Sequence, residues 1–440
     1  MSKLLFGLAA LALVCSIVWA QPPPDTSPDL SIPLTLSDCL SIAWQRHPDV
    51  GIARASAVAA RANAREQASQ RYPHLTAGWS VREAQSLGRS VNTDGVQSAG
   101  TRSTQRDAEL SLTYTLYETG RSARIARART SAYASEYGIA NTHRLLAYEV
   151  TTAYYDLLAA RRYANVAMGA LANAQRHLQL VEERFNAGLV PRADLLPVRV
   201  EVAEARLDGI RAETDIKVAT AVLRALLGLP PAVTFSLADT LPEREPPREL
   251  DELMTLADQQ RPDLAEQQLG VQAANLSLRA TQAEAGLTWE AAASAGYGRY
   301  TGTTGDTWQL SLGAAYPLFD AGAADARVTA ARADATSAQL RLDALKLDIQ
   351  KQVEQAFHRI HQAAAAIDAA AIGREDAQNS LAAAEAKYTE GLAIVIEVTD
   401  AQLALLRAEV AEIQARYDSA IAYAALDNAI GNNLPPAAGD

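Results

Sequence analysis

The chain has 440 residues, a formal net charge of −11 and only 6% aromatic residues. The acidic balance argues against nucleic acid as a partner, because phosphate binding needs clustered Lys and Arg. Abundant alanine with few aromatics favours long helices packed through small residues over a thick globular core, in a chain long enough for two or more domains.

Residues 1–20 have the pattern of a secretory signal peptide. Lys3 gives a short positive start, Leu4 to Trp19 is apolar, and Val18-Trp19-Ala20 is a cleavage site before Gln21. Cys15 follows Val14, where a lipid-attachment motif wants a small residue, so lipidation is disfavoured. Removal of the signal leaves Cys39 as the one cysteine, so an exported chain of this kind has no internal disulfide and depends on packing. Cys39 is expected as a small buried side chain on the first helix.

Residues 21–33, rich in Pro and polar groups, form an extended leader. A short helix is predicted over 36–46 with Ser37 as its cap, and a second from Pro48 to about residue 70, ended by Pro73. The period then changes to two. Leu75, Ala77, Trp79 and Val81 alternate with polar or small residues, and so do Leu110, Leu112, Tyr114 and Leu116. A polar, Gly-rich connection is expected over about 85–105. Residues 121–187 contain no proline and predict one helix about 100 Å long at 1.5 Å per residue. Gly188 is the turning point, and a returning helix follows over about 192–227. Five prolines between Pro230 and Pro247 mark an irregular connector.

The same order then recurs. Strands are predicted around Leu287 to Tyr297 and Trp308 to Tyr316, with a connection over 301–306. A second proline-free stretch starts at Ala321, turns at Gly391 and returns over about 394–430. Tyr114-Thr-Leu-Tyr-Glu-Thr-Gly120 matches Tyr316-Pro-Leu-Phe-Asp-Ala-Gly322, and Glu183-Arg-Phe-Asn-Ala-Gly-Leu189 matches Ala386-Lys-Tyr-Thr-Glu-Gly-Leu392. Arg46-His-Pro-Asp49 is echoed by Arg261-Pro-Asp263, giving offsets of 202, 203 and 214 residues. One unit is used twice. The boundaries are signal peptide 1–20, leader 21–33, first repeat 34–230 (strand hairpin about 72–118, helical hairpin about 121–228) and connector 231–248. The second repeat is 249–433 (hairpins about 287–319 and 321–431), followed by a tail at 434–440.

The alternating segments are long enough to cross a bilayer, and Tyr72, Trp79, Tyr117, Trp289, Tyr300 and Trp308 lie in or beside them, as in an interfacial girdle. Two hairpins make only four strands, whereas bacterial membrane barrels start at eight. An open edge in lipid costs several kcal/mol per unpaired group, so several chains must share one barrel; strand counting allows a dimer or a trimer.

In its doubled layout, its Tyr-x-Leu-Tyr/Phe-x-x-Gly strand ends and its Gly-Leu turns followed by Asp194 or Glu397, the chain resembles the TolC-like outer-membrane efflux factors. The resemblance covers essentially all of the mature chain. It implies a mixed α and β membrane protein. Three chains form a homotrimeric 12-stranded outer-membrane β-barrel, continued through the periplasm by a long α-helical barrel. It implies a passive exit duct that accepts substrate from an inner-membrane pump (RND, ABC or MFS type) through a periplasmic adaptor protein, contacts outer-membrane lipid, and has no catalytic residue, cofactor or metal. Connector 231–248 corresponds to the equatorial region. Adaptor docking carries over to Gly188, Leu189, Gly391 and Leu392. The periplasmic aperture carries over to Asp194, Tyr388, Glu397 and Asp400, with the last two three residues apart on one helical face. Threefold symmetry would turn each acid into a ring selecting cations or holding a metal plug. Ala393 departs from the family's arginine, which puts an arginine–aspartate lock in doubt; Arg192 is the nearby substitute.

His358 and His361 share one helical face but have no evident third ligand, so ordinary helix surface is the expectation. The rival function is a structural or adhesin-like coiled-coil protein. It requires a sustained heptad, whereas these helices are Ala-rich with broad apolar faces and are interrupted by hairpins.

Overall fold

The structure, a computed structural model, describes residues 33–92, 95–239, 241, 244–247, 249–300 and 303–432. The predicted signal peptide, nearly all of the leader and the C-terminal tail lie outside the described residues.

The order is α1 (Leu36–Arg46), α2 (Pro48–Ser69), β1 (His74–Asn92), β2 (Gly95–Glu118), α3 (Arg121–Asn186), a 3-10 turn (Arg192–Asp194) and α4 (Leu195–Leu226). The second repeat reads α5 (Leu250–Gln260), α6 (Pro262–Ala283), β3 (Thr288–Tyr300), β4 (Thr303–Ala315), α7 (Ala323–Thr389) and α8 (Val395–Ile430). Both long helices run unbroken, at 66 and 67 residues. The cap of α1 is Thr35 and not Ser37. The Asp38 amide donates to Thr35 Oγ1 at 3.3 Å and the Thr35 amide donates to Asp38 Oδ2 at 2.9 Å, a reciprocal pair that Ser37 is two residues too late to make. Cys39 is fully buried, as expected, and burial pushes its thiol up to about 12.

The strands are longer than their apolar pattern. Backbone pairing continues from His74↔Thr113 to Asn92↔Gly95, so 85–92 and 95–105 are strand and not connection, and Thr303 to Asp306 likewise belong to β4. The ladder joins backbone groups, which polar residues and glycine supply as well as apolar ones do. Alternation marks only the part of a strand that needs an apolar face.

The four strands form one antiparallel sheet in the order β1-β2-β3-β4. Its register sorts the two faces. Ala77, Leu110, Ala295 and Trp308 form one row across all four strands, and Leu75, Leu112, Ala293 and Leu310 form the next. On the opposite face the rows are Thr76, Ser111, Ser294, Gln309 and Gly78, Glu109, Gly296, Thr307. The chain does not cover the apolar face: Trp79 is 77% exposed and Trp308 82%. No helix among the described residues is long and apolar enough to cross a membrane.

The helices continue the sheet in the same order. Near the sheet α2 packs on α3, α3 on α6 and α6 on α7; farther away α4 packs on α3, α3 on α8 and α8 on α7. Because α3 and α7 span both halves, each strand feeds one column of a single helical layer. The connector is tied into this layer. Tyr154 donates to the Ala238 carbonyl at 2.5 Å, Tyr423 to the Arg244 carbonyl at 2.8 Å, and Arg244 pairs with Asp427 at 2.7 Å.

A buried node joins the two repeats where α3, α6, α7 and α8 meet. Asp263, in the first turn of α6, accepts from Arg261 Nε at 3.0 Å and Nη2 at 2.5 Å, and from Arg144 Nη2 at 3.3 Å. Arg144 is 3% exposed and Arg261 4%, so two cations share one carboxylate. The excess charge faces the C-terminal carbonyls of α8: Arg144 donates to Asn428 O at 2.9 Å and Arg261 to Ala429 O at 3.0 Å. A helix C-terminus carries partial negative charge, which compensates the second guanidinium. Burial pulls the Arg144 guanidinium down to about 10, with Arg261 adding to this and Asp263 opposing it. Burial raises the Asp263 carboxyl, but hydrogen bonds and charge from Arg261, then Arg144, bring it below its ordinary value of 3.8.

A group whose carboxyl is depressed in the folded state stabilises above its unfolded value and loses that contribution as pH falls through the folded value. Asp263→Asn should therefore cost about 3–5 kcal/mol near neutral pH, because it leaves two buried cations unpaired. It should also flatten the loss of stability on acidification below 3.8. Urea unfolding followed by circular dichroism at neutral and acid pH reads both, and Asp208→Asn, at an exposed pair, is the control.

Candidate functional site at the hairpin tips

The far end of the helical layer carries the two matched turns. Both long helices end in the same backbone motif. Leu189 N–H donates to Arg184 O at 2.9 Å and Leu392 N–H to Lys387 O at 2.8 Å, closing over glycines at φ 74° and 78°. This left-handed cap favours glycine at Gly188 and Gly391, since a side chain there costs roughly 1–2 kcal/mol. The space itself is open, because a Cβ added to either glycine meets nothing within 4 Å. In such motifs the residue after glycine usually packs back onto its own helix. Here Leu189 and Leu392 are 73% and 74% exposed, so each turn presents an unpacked leucine outward.

The turns are held together from behind. Val181, Leu195, Val198, Leu381, Tyr388, Val395, Val398 and Ala401 form one apolar cluster drawn from all four tip helices. Arg184, in the last turn of α3, crosses to the other repeat and donates to the Tyr388 carbonyl at 3.1 Å and the Thr389 carbonyl at 3.2 Å. These are among the carbonyls a helix C-terminus leaves without intrahelical donors. The same guanidinium lies 4.5 Å from the Tyr388 ring centre, a cation–π contact. One side chain of the first repeat thus caps and stacks on the end of the second. A turn or two above, Glu201 of α4 accepts from Thr399 of α8 at 3.2 Å and faces His177 Nδ1 of α3 at 3.3 Å. The His177 ring meets the Tyr388 ring edge-on at 6.1 Å.

The sequence-predicted residues distribute as follows. Gly188, Leu189, Gly391 and Leu392 lie exposed at one end of the molecule, on turns joined through Arg184 and the apolar cluster. Tyr388 is 5% exposed, and its ring is covered by Arg184 and His177 of its own chain. Asp194 is half-buried in the 3-10 turn, while Glu397 and Asp400 are exposed near the start of α8. Arg192 is exposed and makes no ion pair with Asp194, and Ala393 packs against the tip cluster. His358 is exposed, and His361 contacts the Pro247 carbonyl at 3.1 Å; no group of three or more metal-ligating side chains occurs among the described residues. Sequence reasoning missed the roles of Arg184, His177, Glu201 and Thr399. Their one visible signal was the placement of Arg184 four residues before the first turn glycine.

The comparisons with known proteins agree with this layout. The outer membrane efflux protein family model matches residues 39–229 and 253–432, one segment per repeat. The chain is 28% identical over 378 residues to protein CyaE of Bordetella pertussis, covering 80% of this chain and 74% of that one. Its fold is similar to that of the outer-membrane channel OprN, with a TM-score of 0.79 at 21% identity, covering 90% of this chain and 89% of that one. It is also similar to CusC, with a TM-score of 0.76 at 22% identity over 90% and 92%. Family and fold are those of channel proteins and not of enzymes. On two matched segments that together cover both repeats, the chain belongs to the outer membrane efflux protein family.

Proposed function

We propose that this chain is one third of an outer-membrane exit duct, which passively conducts substrate delivered by an inner-membrane pump and a periplasmic adaptor. The observation that carries the reading is the amphipathic four-stranded sheet: apolar rows on one face, polar rows on the other, and an unpaired strand at each edge. Apolar-out and polar-in is the pattern of a barrel wall in lipid. Unpaired edges are not tolerated in hydrocarbon, so β1 of one copy pairs with β4 of the next. The helical layer supports the same joint. Its edge helices are α4 in the far half and α7 along its whole length. Leu196, Val200, Leu207, Ile210, Val218 and Val222 of α4, with Leu340, Leu347 and Ile372 of α7, are exposed. Three copies, the number implied by the family, close twelve strands and continue them as a helical tunnel.

In this assembly the polar sheet face lines the pore, and the exposed Gly188-Leu189 and Gly391-Leu392 turns meet the adaptor at the periplasmic end. Arg184 keeps the two turns in fixed register so that they act as one surface. Asp194, Tyr388, Glu397 and Asp400 belong to the aperture. Tyr388 serves there by packing the hairpins of one chain together. Glu397 and Asp400, being exposed and repeated threefold, set the charge at the entrance.

Three measurements test this. Purified mature protein should behave as a trimer in detergent and give discrete conductance steps in a planar bilayer. A monomer that never inserts would leave the coiled-coil reading in its place. Gly391→Trp projects into open space, so it should leave trimers in the outer membrane while reducing export at least tenfold; unchanged export would remove the docking assignment. Glu397→Ala combined with Asp400→Ala should lower cation over anion selectivity, read as a shift in reversal potential under a salt gradient. An unmoved reversal potential would make the two acids a solvated face.

A further inference from the structure

We infer that the arginines at the junction of sheet and helices in the first repeat bind the phosphate headgroups of anionic phospholipids. The inference rests on the membrane reading above and adds the lipid class that the wall selects.

The observation is a local reversal of charge. The chain is acidic overall, yet residues 121–135 hold Arg121, Arg124, Arg127 and Arg129 and no acid. Arg65 and Arg71 lie at the end of the neighbouring helix α2, with one acid, Glu66, between them. Glu118 engages Arg121 and Arg124. Arg65, Arg71, Arg127 and Arg129 are exposed and make no ion pair among the described residues. The Arg61–Glu136 pair at 2.9 Å sets the antiparallel register of α2 on α3 and brings the end of α2 level with Arg127 and Arg129. Successive helix residues turn by about 100°, so Arg127 and Arg129 point to opposite faces of the layer, and one of them faces the side that continues the apolar sheet face.

The fold does not require this charge. At the same level the second repeat sets Arg279, Arg327 and Arg332 against Glu284, Asp320, Asp325 and Asp334, and Arg327 lies 3.8 Å from Asp320. The same structural unit therefore tolerates a net negative junction, and the first repeat carries a net positive one.

The position fits a headgroup layer. Exposed Tyr72, Tyr117, Tyr316 and Phe319 lie at this end of the strands and mark the hydrocarbon boundary. The polar layer beyond that boundary is roughly 5–7 Å deep on each side. Arg71 adjoins Tyr72, Arg65 is one turn before the end of α2, and Arg127 is about 10 Å along α3 from Gly120. Arg65, Arg71 and the one of Arg127 and Arg129 that faces outward are within reach of a phosphate layer, given a long side chain and a Debye length of about 8 Å. Guanidinium also matches phosphate with two parallel hydrogen bonds.

The test is lipid retention by the intact detergent-purified protein. It is offered phosphatidylglycerol and phosphatidylcholine in equal amounts with matched acyl chains, and adducts are counted by native mass spectrometry. Wild type should retain phosphatidylglycerol over phosphatidylcholine by roughly five-fold or more, with the preference falling as salt rises. Arg65→Gln, Arg71→Gln, Arg127→Gln and Arg129→Gln together should bring the ratio near parity, whereas Arg327→Gln with Arg332→Gln should leave it unchanged. Arg65→Gln with Arg71→Gln alone should give an intermediate ratio if the fourfold variant fails to fold. Equal retention in wild type, or a preference that excess inorganic phosphate abolishes without lipid, would overturn the inference. Insertion into vesicles of either lipid separates the two readings. A chain that enters neither overturns the membrane reading and this inference together, and a chain that enters both while retaining the lipids equally overturns this inference alone.

Discussion

A β-sheet edge cannot stay unpaired in hydrocarbon, and four strands are too few to close on themselves. Most other features of the chain answer to that constraint. The register holds apolar residues on one face of all four strands and polar residues on the other. Each strand then feeds one helix column, so the open edges of the sheet become open edges of the helical layer, with exposed leucines, isoleucines and valines along α4 and α7. The proposed trimer is the arrangement that satisfies both sets of edges at once.

A layer one helix thick has little interior, and its stability must come from a few places where helices of both repeats converge. The Arg144–Asp263–Arg261 node is one of them. It is polar because it sits where the C-terminus of α8 meets the first turn of α6, and helix ends leave backbone groups to be satisfied. The tip cluster is the other. There Arg184 performs the same service at the end of α7, so the two turns proposed for docking form one surface. In both places a side chain of the first repeat completes a helix end of the second. The repeats have therefore diverged into complementary halves instead of remaining copies.

The divergence at the junction of sheet and helices has a different character. The basic stretch after Gly120 completes no helix end and, among the described residues, pairs with no acid but the half-buried Glu118. Its counterpart after Gly322 carries charges of both signs. Such a difference between two copies of one scaffold points to the environment outside the chain.

Period and punctuation were legible in the sequence. Alternation in Leu110, Leu112, Tyr114 and Leu116, proline-free runs, and glycines at 188 and 391 placed the strands, the long helices and the turns, because each is a local backbone requirement written in residue type. The strand ends over 85–92 and 95–105 were not legible, since hydrogen-bonded pairing there makes no demand on side chains. The cap at Thr35 was missed by two residues for want of the reciprocal geometry with Asp38. The tertiary structure alone decided that Arg184 reaches Tyr388 and Thr389, that His177 and Thr399 meet at Glu201, and that Arg144 and Arg261 share Asp263. Those partners lie between 24 and 205 positions apart, except Arg261 and Asp263. Sequence by itself determined what each segment must be. Which distant side chains complete each helix end depends on how the two repeats lie against each other, and no local pattern encodes that.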